Sequence, residues 1–109
     1  MTIKHQLYRA ILRSEKAYEY YKKQRKYHQA LRIYKANQEV YSFLEKLYLT
    51  CEEELLNIVF EYIFHLEDWF EQFNELRNKR PSLSEEFVFE RLEFGISYPQ
   101  KFKQYLNKM

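Results

Sequence analysis

Apolar residues recur along this chain with the period of a helix. From Thr2 to Lys79 there is no glycine or proline, so the helical pattern runs uninterrupted by backbone breakers. One register is visible in the numbering itself: Tyr20, Tyr27, Tyr34, Tyr41 and Tyr48, then Leu55, Tyr62, Trp69 and Leu76, each seven residues after the last. A spacing of seven holds side chains on one slowly drifting stripe of a helix. The companion series is mixed early (Ala17, Gln24, Leu31, Gln38, Glu45, Glu52) and apolar late (Val59, Leu66, Phe73). The second half therefore reads as a sound helical seam, and the early tyrosines as the buried edge of a bundle helix.

Helix ends are expected where caps occur. Thr50-Cys51-Glu52-Glu53 has the form of a capping box, and three successive glutamates would lie in the first turn, where the helix dipole favours negative charge. A softer break is expected near Asn37 or, alternatively, near Ser42. Ser84 followed by Glu85 and Glu86, with a staple between Leu83 and Val88, marks another start, and Gly95 a left-handed stop. Pro99 suits the first turn of a last short helix. The expected elements are helices over 3–36, 38–49 (or continuous with the first), 51–78, 84–94 and 99–107. Together they make one all-α domain over residues 1–109, a small bundle of four or five helices built on a long antiparallel hairpin.

Composition narrows the class. The chain has 109 residues, with one glycine and two prolines, too few turn formers for a β-sandwich or a glycine-rich phosphate cradle. Aromatic residues make up 19% and charged residues 31%, which excludes disorder on composition. The single cysteine, Cys51, permits no intramolecular disulfide and points to a reducing, cytoplasmic setting. Lys4, His5, Arg9 and Arg13 interrupt any apolar leader, and Leu55–Leu66 is too short and too polar to span a bilayer. No membrane partner is expected.

Net charge is only +2, but it is unevenly spread: the first fifty residues are basic and residues 51–93 acidic. The segment from Tyr20 to Lys35 interleaves cations with tyrosines. Lys22, Lys23, Arg25, Lys26, Arg32 and Lys35, with Tyr27 and Tyr34, are the candidate polyanion site, because cations neutralise phosphates and rings stack on unpaired bases. The bland alternative is a solvated basic face beside the acidic stripe Glu54, Glu61, Asp68 and Glu75.

Catalytic chemistry is poorly specified. Glu61 and His65 share a helix face without a second such pair, so no metal site and no cofactor are expected. Cys51 reads as a small boundary residue. The stretch Lys26–Ala36 resembles the second helix of a tetratricopeptide repeat, with Tyr27, Ala30 and Tyr34 at matching positions and Ala17 and Tyr21 fitting the first helix. The repeat's turn glycine falls on Arg25, and no second copy follows at a 34-residue shift.

The 51–78 segment is apolar around most of its circumference, which one short chain covers with difficulty. Phe60, Ile63, Phe64 and Phe70 are the candidate oligomer interface. A continuous helix from Tyr20 to Tyr48 would run about 42 Å, past the roughly 34 Å diameter of a globule of this size, and a second copy would cover it. The sequence thus favours a non-enzymatic interaction or assembly protein (an adaptor, inhibitor or regulatory subunit), acting as a homodimer. A nucleic-acid-binding accessory protein, taking RNA or single-stranded DNA on the basic helix, is the alternative.

Overall fold

The computed structural model of the chain describes residues 2–89 together with Phe102 and Gln104. Among these residues every regular element is helical: α1 (Ile3–Gln24), α2 (Tyr27–Thr50) and α3 (Glu53–Arg77). The molecule measures 43 × 22 × 21 Å. The all-α class stands, with three helices rather than four or five in the described region.

Local chemistry accounts for each boundary. Thr2 caps α1, its Oγ1 accepting from the His5 N–H at 3.2 Å. The helix ends because Arg25 turns into the left-handed region (φ 50°, ψ 44°) and donates its N–H to the Tyr21 carbonyl. This residue is the one that aligns with the repeat's turn glycine. The expected helix over 3–36 is therefore broken at Arg25 and Lys26 by a non-glycine turn. No straight helix joins Tyr20 to Tyr48, so the expected projection of one long helix does not arise.

The break expected at Asn37 or Ser42 is absent, since both residues lie inside α2. Thr50 does not cap α3. It is the last residue of α2, and its hydroxyl donates back to the Lys46 carbonyl at 3.3 Å. Cys51 and Glu52 form the extended turn, and α3 starts at Glu53 with Glu53 and Glu54 in its first turn. The capping box misleads because a threonine can satisfy itself within the preceding helix.

The helix expected over 84–94 is replaced, as far as Phe89, by an irregular and largely extended strap. Ser82 and Glu85 close a small turn, with the Glu85 carboxylate accepting from the Ser82 N–H at 2.9 Å. Beyond it the chain runs extended, pairs Glu86 with Lys26 in an isolated antiparallel bridge, and buries Phe87 and Phe89. Burial at positions two apart is the signature of extended chain, which a helix start at Ser84 would destroy. Gly95 and most of 99–107 lie outside the described residues; Phe102 and Gln104 are helical, and Phe102 is buried.

Two cores result. The first gathers Leu7, Ala10 and Ile11 of α1, Val40, Leu44 and Leu47 of α2, and Leu55, Val59, Tyr62 and Leu66 of α3, with Phe102. The second gathers Tyr21, Tyr27, Ala30, Ile33, Trp69 and Phe73 with Phe87 and Phe89 of the strap. Ala10, Ala30 and Ala36 are buried as well. Arg13 pairs with Glu39, and the Ser14 hydroxyl donates to the buried Asn37 side chain at 2.5 Å, tying α1 to α2.

Candidate functional site

Four of the six candidate cations collect at one end of the bundle. Lys22 and Lys23 occupy the last turn of α1, where cations complement the helix dipole, and Arg25 and Lys26 form the turn into α2. The ammonium of Lys22 lies 5.1 Å from the centre of the Tyr18 ring, that of Lys23 5.5 Å from Tyr20, and the Arg25 guanidinium 5.9 Å from Tyr21. Arg32 and Lys35 lie farther along α2, both exposed. The helix α3 ends beside this region: the Arg77 guanidinium lies over Tyr34 at 5.8 Å, and Lys79 and Arg80 follow, both exposed. Sequence reasoning missed these three cations because they sit in an acidic half of the chain and reach the basic end only through folding.

The two tyrosines of the candidate polyanion site are placed differently from the cations. Tyr27 is 8% exposed and its ring stacks on Phe87 at 5.0 Å. Tyr34 is half-buried, stacked on Phe73 at 4.6 Å and edge-on to Phe70 at 5.5 Å. Both rings are engaged within the protein.

The strap completes this end. The α2 N-terminus has no side-chain cap, so its first donors need another acceptor. The Tyr27 N–H donates to the Glu85 carbonyl and the His28 N–H to the Leu83 carbonyl, each at 3.0 Å. The Phe87 N–H donates to the Arg25 carbonyl at 2.8 Å, and the Tyr21 hydroxyl to the Phe87 carbonyl at 2.5 Å. Burial pushes the Tyr21 phenol above its ordinary pKa, so it stays a donor at neutral pH.

The second surface is apolar. Phe60 and Phe64 are 45% and 52% exposed and meet edge to face at 4.6 Å. Tyr48, at the end of α2, extends the patch to Phe60 at 6.1 Å, and neighbouring Leu49 is 82% exposed. Of the four candidate interface residues, these two phenylalanines face outward. Ile63 is half-buried against the first core, and Phe70 is half-buried against Tyr34, Tyr41 and Trp69. The acidic stripe Glu54, Glu61, Asp68 and Glu75 is exposed along the neighbouring flank of α3. The described surface also has two open grooves, one lined by Tyr34, Gln38, Tyr41 and Phe70, the other by Gln6, Arg9, Arg13 and Phe43.

Residues with catalytic or metal-binding character are dispersed. No group of three or more metal-ligating side chains occurs among the described residues. Burial lowers the pKa of His65 despite Asp68 nearby, while Glu61 is exposed. Burial raises the Cys51 thiol, which opposes thiolate reactivity. No helix among the described residues is long and apolar enough to cross a membrane. In comparisons with known proteins, the chain matches no family, no curated protein and no solved structure.

Proposed function

We propose that the protein is a non-enzymatic interaction or assembly protein, an adaptor, inhibitor or regulatory subunit that works as a homodimer by presenting helical faces. The observation that carries this reading is the exposed pair Phe60 and Phe64, backed by Tyr48 and rimmed by carboxylates. An apolar centre with a charged rim is the composition of a protein interface. The scaffold beneath it is an antiparallel hairpin of α1 and α2, a reading supported by the pairing of Arg13 with Glu39 and of Ser14 with Asn37, with Leu7, Ile11, Val40 and Leu44 in one core. A two-fold partner set against α3 would also bring the acidic flank of one copy towards the basic α1 and α2 of the other. The lone Cys51 suits the reducing cytoplasm.

Light scattering at micromolar concentration tests the assembly. The wild type is expected at twice the 13.7 kDa chain mass, and Phe64→Glu at the mass of one chain with its helix content unchanged. A folded wild-type monomer overturns the reading.

The second reading, RNA or single-stranded DNA binding, is favoured by the clustering of Lys22, Lys23 and Arg25 with the α3 cations at one end. It rests on charge, because Tyr27 and Tyr34 are engaged internally. Replacing Lys22, Lys23, Arg25 and Lys26 by glutamine should then flatten the salt dependence by about one counterion for each phosphate no longer neutralised. Absence of binding by the wild type at low salt removes this reading.

A further inference from the structure

The strap Pro81–Phe89 is bound to its own chain as a peptide ligand would be. Its backbone anchors are the Tyr27 and His28 amides, the Arg25 carbonyl and the Tyr21 hydroxyl, all on α1, α2 and their turn. Its side-chain anchors are Phe87 and Phe89, seated among Tyr21, Tyr27, Trp69 and Phe73. The backbone at Glu86 forms an isolated antiparallel bridge with that at Lys26. None of these groups is unique to the chain that supplies the strap: a second copy offers the same groove, the same donors and the same backbone bridge.

The link that keeps the strap at home is short and strained. Only Asn78, Lys79 and Arg80 separate the end of α3 from Pro81, and Arg80 stands at φ 55°. A residue with a β-carbon is disfavoured there, and a residue before proline prefers extended backbone. Returning Arg80 to extended geometry removes this strain and carries the strap away from its own groove. Short strained hinges are the setting in which identical elements exchange between copies.

We propose that the Pro81–Phe89 strap exchanges between two copies of this chain, each copy's Phe87 and Phe89 filling the aromatic groove of the other. The exchange is separate from the Phe60 and Phe64 face and requires no contact there. Both pairings satisfy the same groove, so concentration decides between them. A short tether holds its own strap at an effective concentration on the order of millimolar.

The test uses the full chain with Cys51→Ser, His28→Cys and Leu83→Cys, thiols at two exposed positions that the strap brings together. Protein is equilibrated at about 1 mM, the effective concentration of a short tether, or kept at micromolar concentration, then diluted and joined with a short bis-maleimide. Denaturing gels then separate links within a chain from links between chains. Exchange predicts links between chains in the concentrated sample and links within chains in the dilute one. The interchain product is expected to persist with Phe64→Glu and to fall severalfold with Arg80→Gly, since glycine takes positive φ without strain. Links confined to single chains at every concentration, or interchain links abolished by Phe64→Glu, overturn the proposal.

Discussion

The two cores of this molecule are built by different rules. The first is largely aliphatic, filled by leucines, valines and isoleucine from three helices at helical spacing. The second is aromatic, and its rings make a continuous set of contacts: Trp69 stacks on Phe73 at 5.3 Å and on Phe89 at 5.4 Å, and Phe87 meets Phe89 edge on at 5.4 Å. Helical residues alone close the first among the described residues. The second stays open without an extended strap at its mouth. Aromatic rings fill the wider space between α3 and the α1–α2 pair, and the strap's backbone supplies the cap that α2 lacks. The basic end of the bundle thus depends on a segment that helical periodicity alone would misplace.

The largest expected effect comes from the ring at the centre of the second core. Phe73 is fully buried and touches Tyr27, Tyr34, Trp69, Phe87 and Phe89. Phe73→Ala should cost about 4 kcal/mol in denaturant unfolding, as buried phenylalanine truncations do. Leu44→Ala in the first core should cost about 3 kcal/mol. A loss below about 1 kcal/mol for Phe73→Ala would mean that the aromatic end collapses around the gap without depending on that ring.

Phe87→Ala separates the cores more sharply. Its cost is capped by the free energy of docking the strap, because the strap can leave while the helices remain folded. We expect about 3 kcal/mol or less, with the emission of Trp69 shifting before the helical signal melts; Trp69 is the sole tryptophan and lies in the second core. Coincident transitions would show that both cores unfold as one.

Each core holds one buried tyrosine raised above its usual pKa by burial, Tyr62 in the first and Tyr21 in the second. Both are neutral acids that bind protons more tightly when folded. Their contribution is complete below pH 10 and is lost as pH rises past the unfolded value towards the folded ones. Stability measured across that window should fall with pH. Tyr21→Phe should cost about 1 kcal/mol at neutral pH for the lost bond to Phe87 and should lessen the alkaline slope. An unchanged slope would place Tyr21 in contact with water.

The part of each core that α3 supplies is legible from the sequence. The series Leu55, Tyr62, Trp69 and Val59, Leu66, Phe73, read as one seam of α3, are all buried. The Arg25 turn is not legible, because the signal for a left-handed cap is glycine and this chain uses arginine. The strap is hidden by Ser84, Glu85 and Glu86, which imitate a helix start; the alternation of Phe87, Val88 and Phe89 is the signal that could have found it. Of the candidate surfaces, the cations of residues 20–35 are readable, but their meeting with Arg77, Lys79 and Arg80 needs the fold. Phe60, Ile63, Phe64 and Phe70 are readable as one apolar face directed away from the seam, but folding half-buries Ile63 and Phe70 and leaves Phe60 and Phe64 exposed.

The smallest effect belongs to a misread cap. Thr50 ends α2 and bonds within it, so Thr50→Ala should change stability by less than about 0.5 kcal/mol, alanine being the better helix former. A loss of about 1 kcal/mol, the value of an N-cap bond, would restore Thr50 as the cap of α3.

The dependence of the aromatic end on the strap is tested most directly by amide hydrogen exchange at Tyr27 and His28. Their N–H groups lie at a helix start, where donors are ordinarily open to water, and here they bond to Glu85 and Leu83. Both amides should be protected in the wild type and lose that protection in Phe87→Ala, while Leu44 and Leu47 keep theirs. Free exchange at Tyr27 and His28 in the wild type, or equal loss at Leu44 and Leu47 in the variant, would contradict a separately closed second core.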